Sequence, residues 1–266
     1  MTPSRIRRIT RITLNVCDLQ GVSDFYVDAL GFTREITQST RVRLTLGGQE
    51  IELVEAANAV PYPAPRAAND PWFQHFAIAV SDMRAAYARL ARFAPEPITQ
   101  GGPQLLPPST GSVTAYKFRD PEGHPLELSH APGSHWSRAG ESGALCLGID
   151  HTALATSDLE ASRAFYIGLG FSEGPGSLNQ GPEQARLDGL EGATVDIVTL
   201  FSPDAGPHIE LLHYRSPPPS PPRAVGHGDI AATRTTLELF SGAAPEVAAP
   251  VPCRADPDGH LLQFTA

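Results

Sequence analysis

Two histidines and two glutamates of this 266-residue sequence stand at matching places in a repeated pattern, and their side chains are common donors to divalent metals. His75 opens HFAIAVSD and lies seven residues before Asp82; His151 opens HTALATSD and lies seven residues before Asp158. Glu127 sits in PLELSH and Glu210 in HIELLH, each between apolar residues. Two imidazoles with two carboxylates suit nickel, zinc, cobalt, manganese or iron(II), and these residue types do not single out one ion. A carboxylate placed beside an acidic C–H can also serve as a base.

Alternation along a strand puts His75, Ala77 and Ala79 on one face, with Phe76, Ile78 and Val80 on the other. His151, Ala153 and Ala155 share a face in the same way, opposed by Thr152, Leu154 and Thr156. Small residues beside each histidine leave room for an ion and a ligand. Glu127 alternates with Leu126 and Leu128, and Glu210 with Ile209 and Leu211. A carboxylate turned from an apolar face into an enclosed interior is costly unless it is paired or metal-bound.

The elements that carry these residues recur. Residues 11–32, RITLNVCDLQGVSDFYVDALGF, are answered by residues 151–171, HTALATSDLEASRAFYIGLGF. Both run from an apolar strand through Asp-Leu into a helix bearing Phe-Tyr, and both close on Leu-Gly-Phe. Asp18 and Asp158 suit the N-cap, where a short acceptor satisfies the first free helical N–H groups. Gly31 and Gly170 suit the residue past the helix end, which needs positive φ. A third copy begins at residues 74–90, QHFAIAVSDMRAAYARL, with Asp82 as its cap, and closes on DPEGHPLELS, residues 120–129. DPDGHLLQFT, residues 256–265, marks the end of a fourth, which opens on AATRTTLEL, residues 231–239. Ser241 takes its cap position, but the stretch before Cys253 leaves little room for a helix and another strand, so this copy is expected to be truncated. Residues 56–71, 130–147 and 213–229 read as linkers between units.

Four such units, with Asp-Leu, Phe-Tyr and Leu-Gly-Phe punctuation and DPEGH or DPDGH endings, resemble the vicinal-oxygen-chelate superfamily of glyoxalases, bleomycin-resistance proteins and extradiol dioxygenases. The resemblance covers essentially the whole chain. It implies an α+β fold of four βαβββ-like repeats forming two cupped barrels. A first module is expected at 1–135 (units one and two) and a second at 145–266 (units three and four, the last degenerate). It implies metal ligands at two places per unit, on the first and the last strand. The first-strand positions are Arg11, His75, His151 and Arg234; the last-strand positions are Glu52, Glu127, Glu210 and Gln263. Units two and three thus carry His75, Glu127, His151 and Glu210, the expected ligands of one divalent ion, with Glu127 or Glu210 as the catalytic base. One barrel shared by units two and three, and another by units one and four, explains this division with a single cause. That pairing is the expectation.

The ligand set is similar to that of bacterial glyoxalases and acyl-CoA epimerases. It implies a metal-dependent isomerase, lyase or epimerase acting on a small oxygenated substrate through an enediolate-like intermediate. A second reading is an extradiol dioxygenase with iron(II), for which two histidines and one carboxylate suffice. The run Tyr116…Asp120-Pro121-Glu122-Gly123…Glu127 resembles that signature but departs from it in Tyr-to-Asp spacing and in lacking the upstream histidine. A third reading is a non-catalytic protein that sequesters its ligand, as bleomycin-resistance proteins do. Candidate substrate contacts are Tyr116, on the strand before DPEG, and Asn179, Gln184 and Arg186, in a polar segment, residues 177–190, read as a loop over the cup. His124 and His260 read as turn or rim residues. His130, His135, His208, His213 and His227 lie near strand ends or linkers and are expected to have no ligand role. Arg11 and Arg234 either hold an anion or pair internally, with Glu52 and Glu238 available, and a structural barrel that has lost its metal is the expectation.

Composition restricts the partners. Net charge is -9, with no lysine- or arginine-rich run, which argues against nucleic acid. The three cysteines, Cys17, Cys146 and Cys253, form no CxxC pair, so neither a disulfide framework nor a thiolate zinc site is expected. No apolar run is long enough to span a bilayer, and no apolar segment of a secretory signal follows Met1–Thr10. These features predict a cytoplasmic protein with a small-molecule substrate and no membrane partner. Four units can complete both barrels within one chain, so a monomer or a homodimer is expected.

Overall fold

The computed structural model describes residues 6–136, 143–221, 225–240 and 253–266. Unit one comprises β1 (Ile6–Val16), α1 (Leu19–Leu30), β2 (Thr33–Gln38), β3 (Arg41–Leu46) and β4 (Gln49–Glu55). Unit two comprises β5 (Gln74–Val80), α2 (Met83–Ala91), the short strands β6 (Glu96–Pro97) and β7 (Gln104–Leu105), β8 (Thr114–Arg119) and β9 (Pro125–His130). In unit three, β10 (Cys146–Ala155) leads into α3 (Leu159–Leu169). Then come β11 (Ser172–Gln180), a short helix α4 (Pro182–Asp188), β12 (Thr194–Phe201) and β13 (His208–Ser216). Unit four has β14 (Arg234–Leu239), β15 (Arg254–Ala255) and β16 (Leu261–Thr265), and no helix among its described residues. Its expected cap, Ser241, lies outside the described residues.

In every unit the first strand pairs in parallel with the last: β1 with β4, β5 with β9, β10 with β13, and β14 with β16. First strands of different units then pair antiparallel, β5 with β10 and β1 with β14. Units two and three therefore share a nine-stranded sheet, β11-β12-β13-β10-β5-β9-β8-β6 with β7 beside β8. Units one and four share a seven-stranded sheet, β15-β16-β14-β1-β4-β3-β2. Pairing of two with three is what the chain adopts. Each sheet forms an open cup, its end strands not pairing with one another.

The helix caps follow the residues that predicted them. Asp18, Asp82 and Asp158 accept from the backbone N–H groups of Gly21, Ala85 and Ala161 at 2.9, 3.0 and 3.0 Å. Gly31 and Gly170 end α1 and α3 with φ of 79° and 112°, a conformation that a Cβ would oppose. Each sheet turns one apolar face toward the helices. Phe25, Tyr26 and Leu30 of α1, with Met83 and Leu90 of α2, pack against residues of both sheets, among them Leu14, Leu44, Leu53, Ile78 and Leu126. A second core joins Tyr166 and Leu169 of α3 to Leu154, Leu211, Leu237 and Leu262.

The repeated DPEGH and DPDGH turns clasp these helices. The Asp120 carboxylate accepts from the backbone of Glu122 and His124, and lies 2.9 Å from His124 Nδ1 and 3.1 Å from the Tyr26 hydroxyl. Asp256 likewise accepts from the backbone of Asp258 and His260 and from the Tyr166 hydroxyl at 2.9 Å, while the His260 ring lies 2.8 Å from the Ala155 carbonyl. The Glu122 carboxylate accepts from the N–H groups of Cys17 and Asp18 at the start of α1, and Asp258 accepts from Ser157 at the start of α3. His124 and His260 are therefore buried parts of a clasp, not rim residues. The Phe-Tyr dipeptide of one unit and the turn of the next are two halves of one contact.

Candidate metal centre

With the helices covering one face of the nine-stranded sheet, its other face carries polar groups. Strand register fixes which of them meet. Ala77 lies opposite Glu127 on one side and His151 on the other; Ala153 lies opposite His75 and Glu210. The two histidines and two glutamates thus occupy two adjacent cross-strand rows, each with an alanine in its middle. The alanine methyl groups leave the space between the four larger side chains open.

His75 Nε2 lies 3.2 Å from Glu127 Oε2, and His151 Nε2 lies 3.6 Å from Glu210 Oε2. The two imidazole rings are 5.7 Å apart. Ligand atoms of His75, Glu127 and His151 all fall within 4.8 Å of one another, and all three residues are buried. Neither Nε2 atom has a hydrogen bond of acceptable geometry despite its burial. An orphaned buried nitrogen forfeits its solvation, and two of them converging on one carboxylate have the arrangement of donors around a common cation. Glu210 stands apart from this compact triple, between His151 and His208, whose Nε2 is 3.6 Å from Glu210 Oε1.

Surrounding groups set orientation and charge. Asp150 lies 3.0 Å from His151 Nδ1 and also accepts from the Trp136 indole, which turns Nε2 of His151 toward the triple. Burial lowers the pKa of His75, in spite of Glu127. For His151 burial acts the same way, but Glu210, Asp150 and Glu127 outweigh it and raise the pKa to about 9. Burial would raise both glutamates. His75 and Lys117 instead hold Glu127 low, and His151 and His208 hold Glu210 at about 2. Without a cation, the proton held on His151 supplies positive charge beside the carboxylates. A divalent ion would supply it instead, displacing that proton.

Lys117 is part of this face. It lies opposite Glu127 across β8 and β9, is 4 % exposed, and donates to Asp188 at 2.6 Å with its Nζ 3.9 Å from Glu127 Oε2. Gln184 donates to Asp188 at 2.7 Å and accepts from Asn179 at 3.1 Å. A buried chain of polar contacts thus runs from Asn179 through Gln184, Asp188 and Lys117 to Glu127. The segment read as a loop over the cup is the end of β11 and the helix α4. Asn179 and Gln184 spend their amides inside this chain, and Arg186 donates to Gln104 on the facing unit at 2.7 Å. Tyr116 points away from the site. It is adjacent to Lys117 in a strand, so it takes the opposite face, and it packs there against Tyr87 and Phe118. A cavity of about 340 Å³ continues the site's face past Ala79, Ser129 and Asp150, with Trp136 and His130 at its wall.

Several of these groups are not among the expected site residues. His208, expected to have no ligand role, lies two residues before Glu210 on the same face and opposite His151. Asp150 directly precedes His151, a signal that was legible. Lys117 and Asp188 are 71 residues apart, and only the sheet register shows them together.

Comparison with known proteins bears on the same architecture. The model of the Glyoxalase/Bleomycin resistance protein/Dioxygenase superfamily matches residues 8–128 and 148–249. The chain belongs to this superfamily. Among solved structures, glyoxalase I from Zea mays is similar over 97% of this chain and 92% of its own, with a TM-score of 0.60 and 16% sequence identity. A putative dioxygenase from Bacillus subtilis is similar over 98% of this chain and 85% of its own, with a TM-score of 0.58 and 16% identity. At such identity the likeness concerns the fold. A comparison with curated protein sequences finds no match. Both matched segments of the superfamily member contribute to the face just described: His75 and Glu127 come from the first, His151 and Glu210 from the second.

Proposed function

We propose that this protein is a divalent-metal-dependent enzyme whose ion is held by His75, Glu127, His151 and Glu210. It acts on a small oxygenated substrate, in an isomerase, lyase or epimerase reaction of glyoxalase-like type that passes through an enediolate-like intermediate. The observation that carries this reading is the convergence of two buried imidazole nitrogens, both without hydrogen bonds, on the carboxylate of Glu127. A bound divalent ion supplies a Lewis acid that polarises a substrate carbonyl and stabilises the negative charge developing on its oxygen.

The chain's own groups divide the remaining work. Asp150 orients His151, and Lys117 with Asp188 keeps Glu127 ionised and in place. Glu210 is the base in this reading: it stands outside the compact triple, and its side chain is more exposed than that of Glu127, 22% against 9%. His151 and His208 hold its carboxylate in the ionised form that a base requires. The cavity beside Ala79, Ser129 and Asp150 offers room for the body of the substrate.

One observation favours a second reading. The compact triple of His75, His151 and Glu127 is by itself a two-histidine, one-carboxylate set, the donor set of iron(II) oxygenases. The two readings part on the metal. Elemental analysis of the purified chain is expected to give one nickel, zinc, cobalt or manganese ion, lost in His75→Ala/His151→Ala. Iron in place of these ions selects the dioxygenase. No metal in either protein after reconstitution defeats both and leaves ligand sequestration.

A further inference from the structure

The seven-stranded sheet repeats the row pattern of the candidate metal face with different chemistry. Arg43, Glu52, Thr13 and Arg234 occupy the row that corresponds to Lys117, Glu127, Ala77 and His151. Arg11 and Thr236 correspond to His75 and Ala153. Arg41, two residues before Arg43, extends the same face.

Four guanidiniums here face two carboxylates. Arg11 reaches Glu50 at 3.4 Å and Glu52 at 3.5 Å, Arg41 reaches Glu52 at 3.5 Å, and Arg43 reaches Glu50 at 3.6 Å and Glu52 at 3.9 Å. Only one of these approaches is a hydrogen bond. Glu35, hydrogen-bonded to Thr45, borders the cluster and still leaves it positive. Arg234 has no carboxylate within ion-pair distance among the described residues. Its guanidinium donates to neutral oxygens alone: Asn15 Oδ1 at 2.7 Å and the carbonyls of His227 and Ala232 at 3.3 Å. Burial depresses its pKa, and the charge of Arg41 adds to that, against Cys253 and Glu52. Between these cations lies Thr13, 2 % exposed, whose hydroxyl has no hydrogen-bond partner, and Arg43 Nε is likewise buried and unbonded. A partly buried cation left without a counter-charge, beside an unbonded hydroxyl donor, is an arrangement that an oxyanion completes.

We infer that this face binds a small dianionic oxyanion, a phosphate group either free or as the monoester of a small molecule, on Arg11, Arg41, Arg43, Arg234 and Thr13. Units one and four carry an arginine pair where units two and three carry a histidine pair, which suits an anion in place of a cation. The expected internal pairing of Arg11 with Glu52 is present, but it accounts for only part of the charge. The inference does not depend on the metal reading, because the two faces belong to different sheets.

The test is calorimetric titration of the full chain with inorganic phosphate, and separately with glycerol phosphate, against chloride at equal ionic strength. One saturable site per chain is expected. Arg234→Gln should weaken it by about tenfold or more, the order expected for removing a charge-assisted contact. Arg41→Gln, at a half-exposed position, should weaken it several-fold, as charge removal does. His75→Ala/His151→Ala should leave it unchanged. Tighter binding of the ester identifies a metabolite site, and equal binding a site for the free ion; either supports the inference. Overturning results are the absence of saturable binding, equal binding in both arginine variants, or loss of binding in the histidine variant.

Discussion

At the scale of residues, the two carboxylates of the candidate metal centre differ in their surroundings, and the difference assigns them different work. Glu127 is enclosed by His75 and Lys117, whereas Glu210 sits between His151 and His208 nearer solvent. Glu127→Gln is expected to reduce metal content after dialysis far more than Glu210→Gln. Glu210→Gln should instead keep most of the metal and lower kcat by roughly 10²–10⁴, the usual contribution of a general base. Equal loss of metal in both would remove Glu210 from that role. Lys117 gives a second prediction. Lys117→Met strands the buried Asp188 carboxylate, with an expected stability loss of about 3–5 kcal/mol by urea unfolding. Lys117→Met/Asp188→Asn should recover most of that loss, since it removes the stranded Asp188 charge and leaves Glu127 beside His75. The histidines and glutamates were legible because each recurs at a fixed offset from a helix cap or within a repeated strand. Lys117 was not: a lysine in a strand looks solvated until the register sets it opposite Glu127.

At the scale of elements, caps and turns were legible because each is a local bargain between a side chain and the backbone beside it. The clasp that the DPEGH turn makes with α1 was not, since its partners are far apart in sequence and only packing joins them. The segment 177–190 is strand and helix where a loop is expected, for a related reason. Glycine and polar residues favour a loop locally, but the backbone of α4 is held from outside, by Thr99 and Gln100 donating to the carbonyls of Leu187 and Arg186. The clasp carries a pH signature. Burial would lower the His124 pKa, but the Asp120 carboxylate outweighs it and raises it above 6.5; Asp120 is held below 3.8 in return. A raised histidine contributes stability that is complete below 6.5 and lost as pH rises through the folded value. A lowered aspartate contributes stability that is complete above 3.8 and lost as pH falls through its folded value. Their joint contribution is therefore greatest between those two values. His124→Gln is expected to cost roughly 3 kcal/mol near pH 5.5 and less near pH 8.5. Urea midpoints of both proteins at the two pH values check this, and a penalty that grows with pH would refute it.

At the scale of the whole molecule, cores and sites obey different partitions. The larger apolar core draws almost entirely on units one and two, and the second on units three and four with Ile6 and Ile9. Both sheets, by contrast, form across that division, through β5–β10 and β1–β14. The pairing was legible because two histidines and two arginines sorted the units; the open form of the sheets was not, since closure depends on end strands whose sequences carry no pairing signal. Burial thus holds each half together while the chemistry of each face needs both. His75, Glu127 and Lys117 lie in residues 6–136, whereas His151, Glu210 and Asp188 lie in residues 143–221. Expressed as separate polypeptides, residues 1–136 and 143–266 should each show native-like circular dichroism, having their own helix-side cores. Neither should bind metal as a monomer, because each brings one histidine and one glutamate, too few for a structural or catalytic site. Mixing them should restore one ion per pair, with the mass of a heterodimer in light scattering. A half that binds metal only as its own dimer would still be consistent, since two copies of β5 could pair as β5 and β10 do. Tight metal binding by a monomeric half would show instead that one unit suffices, and the shared centre would fall with it.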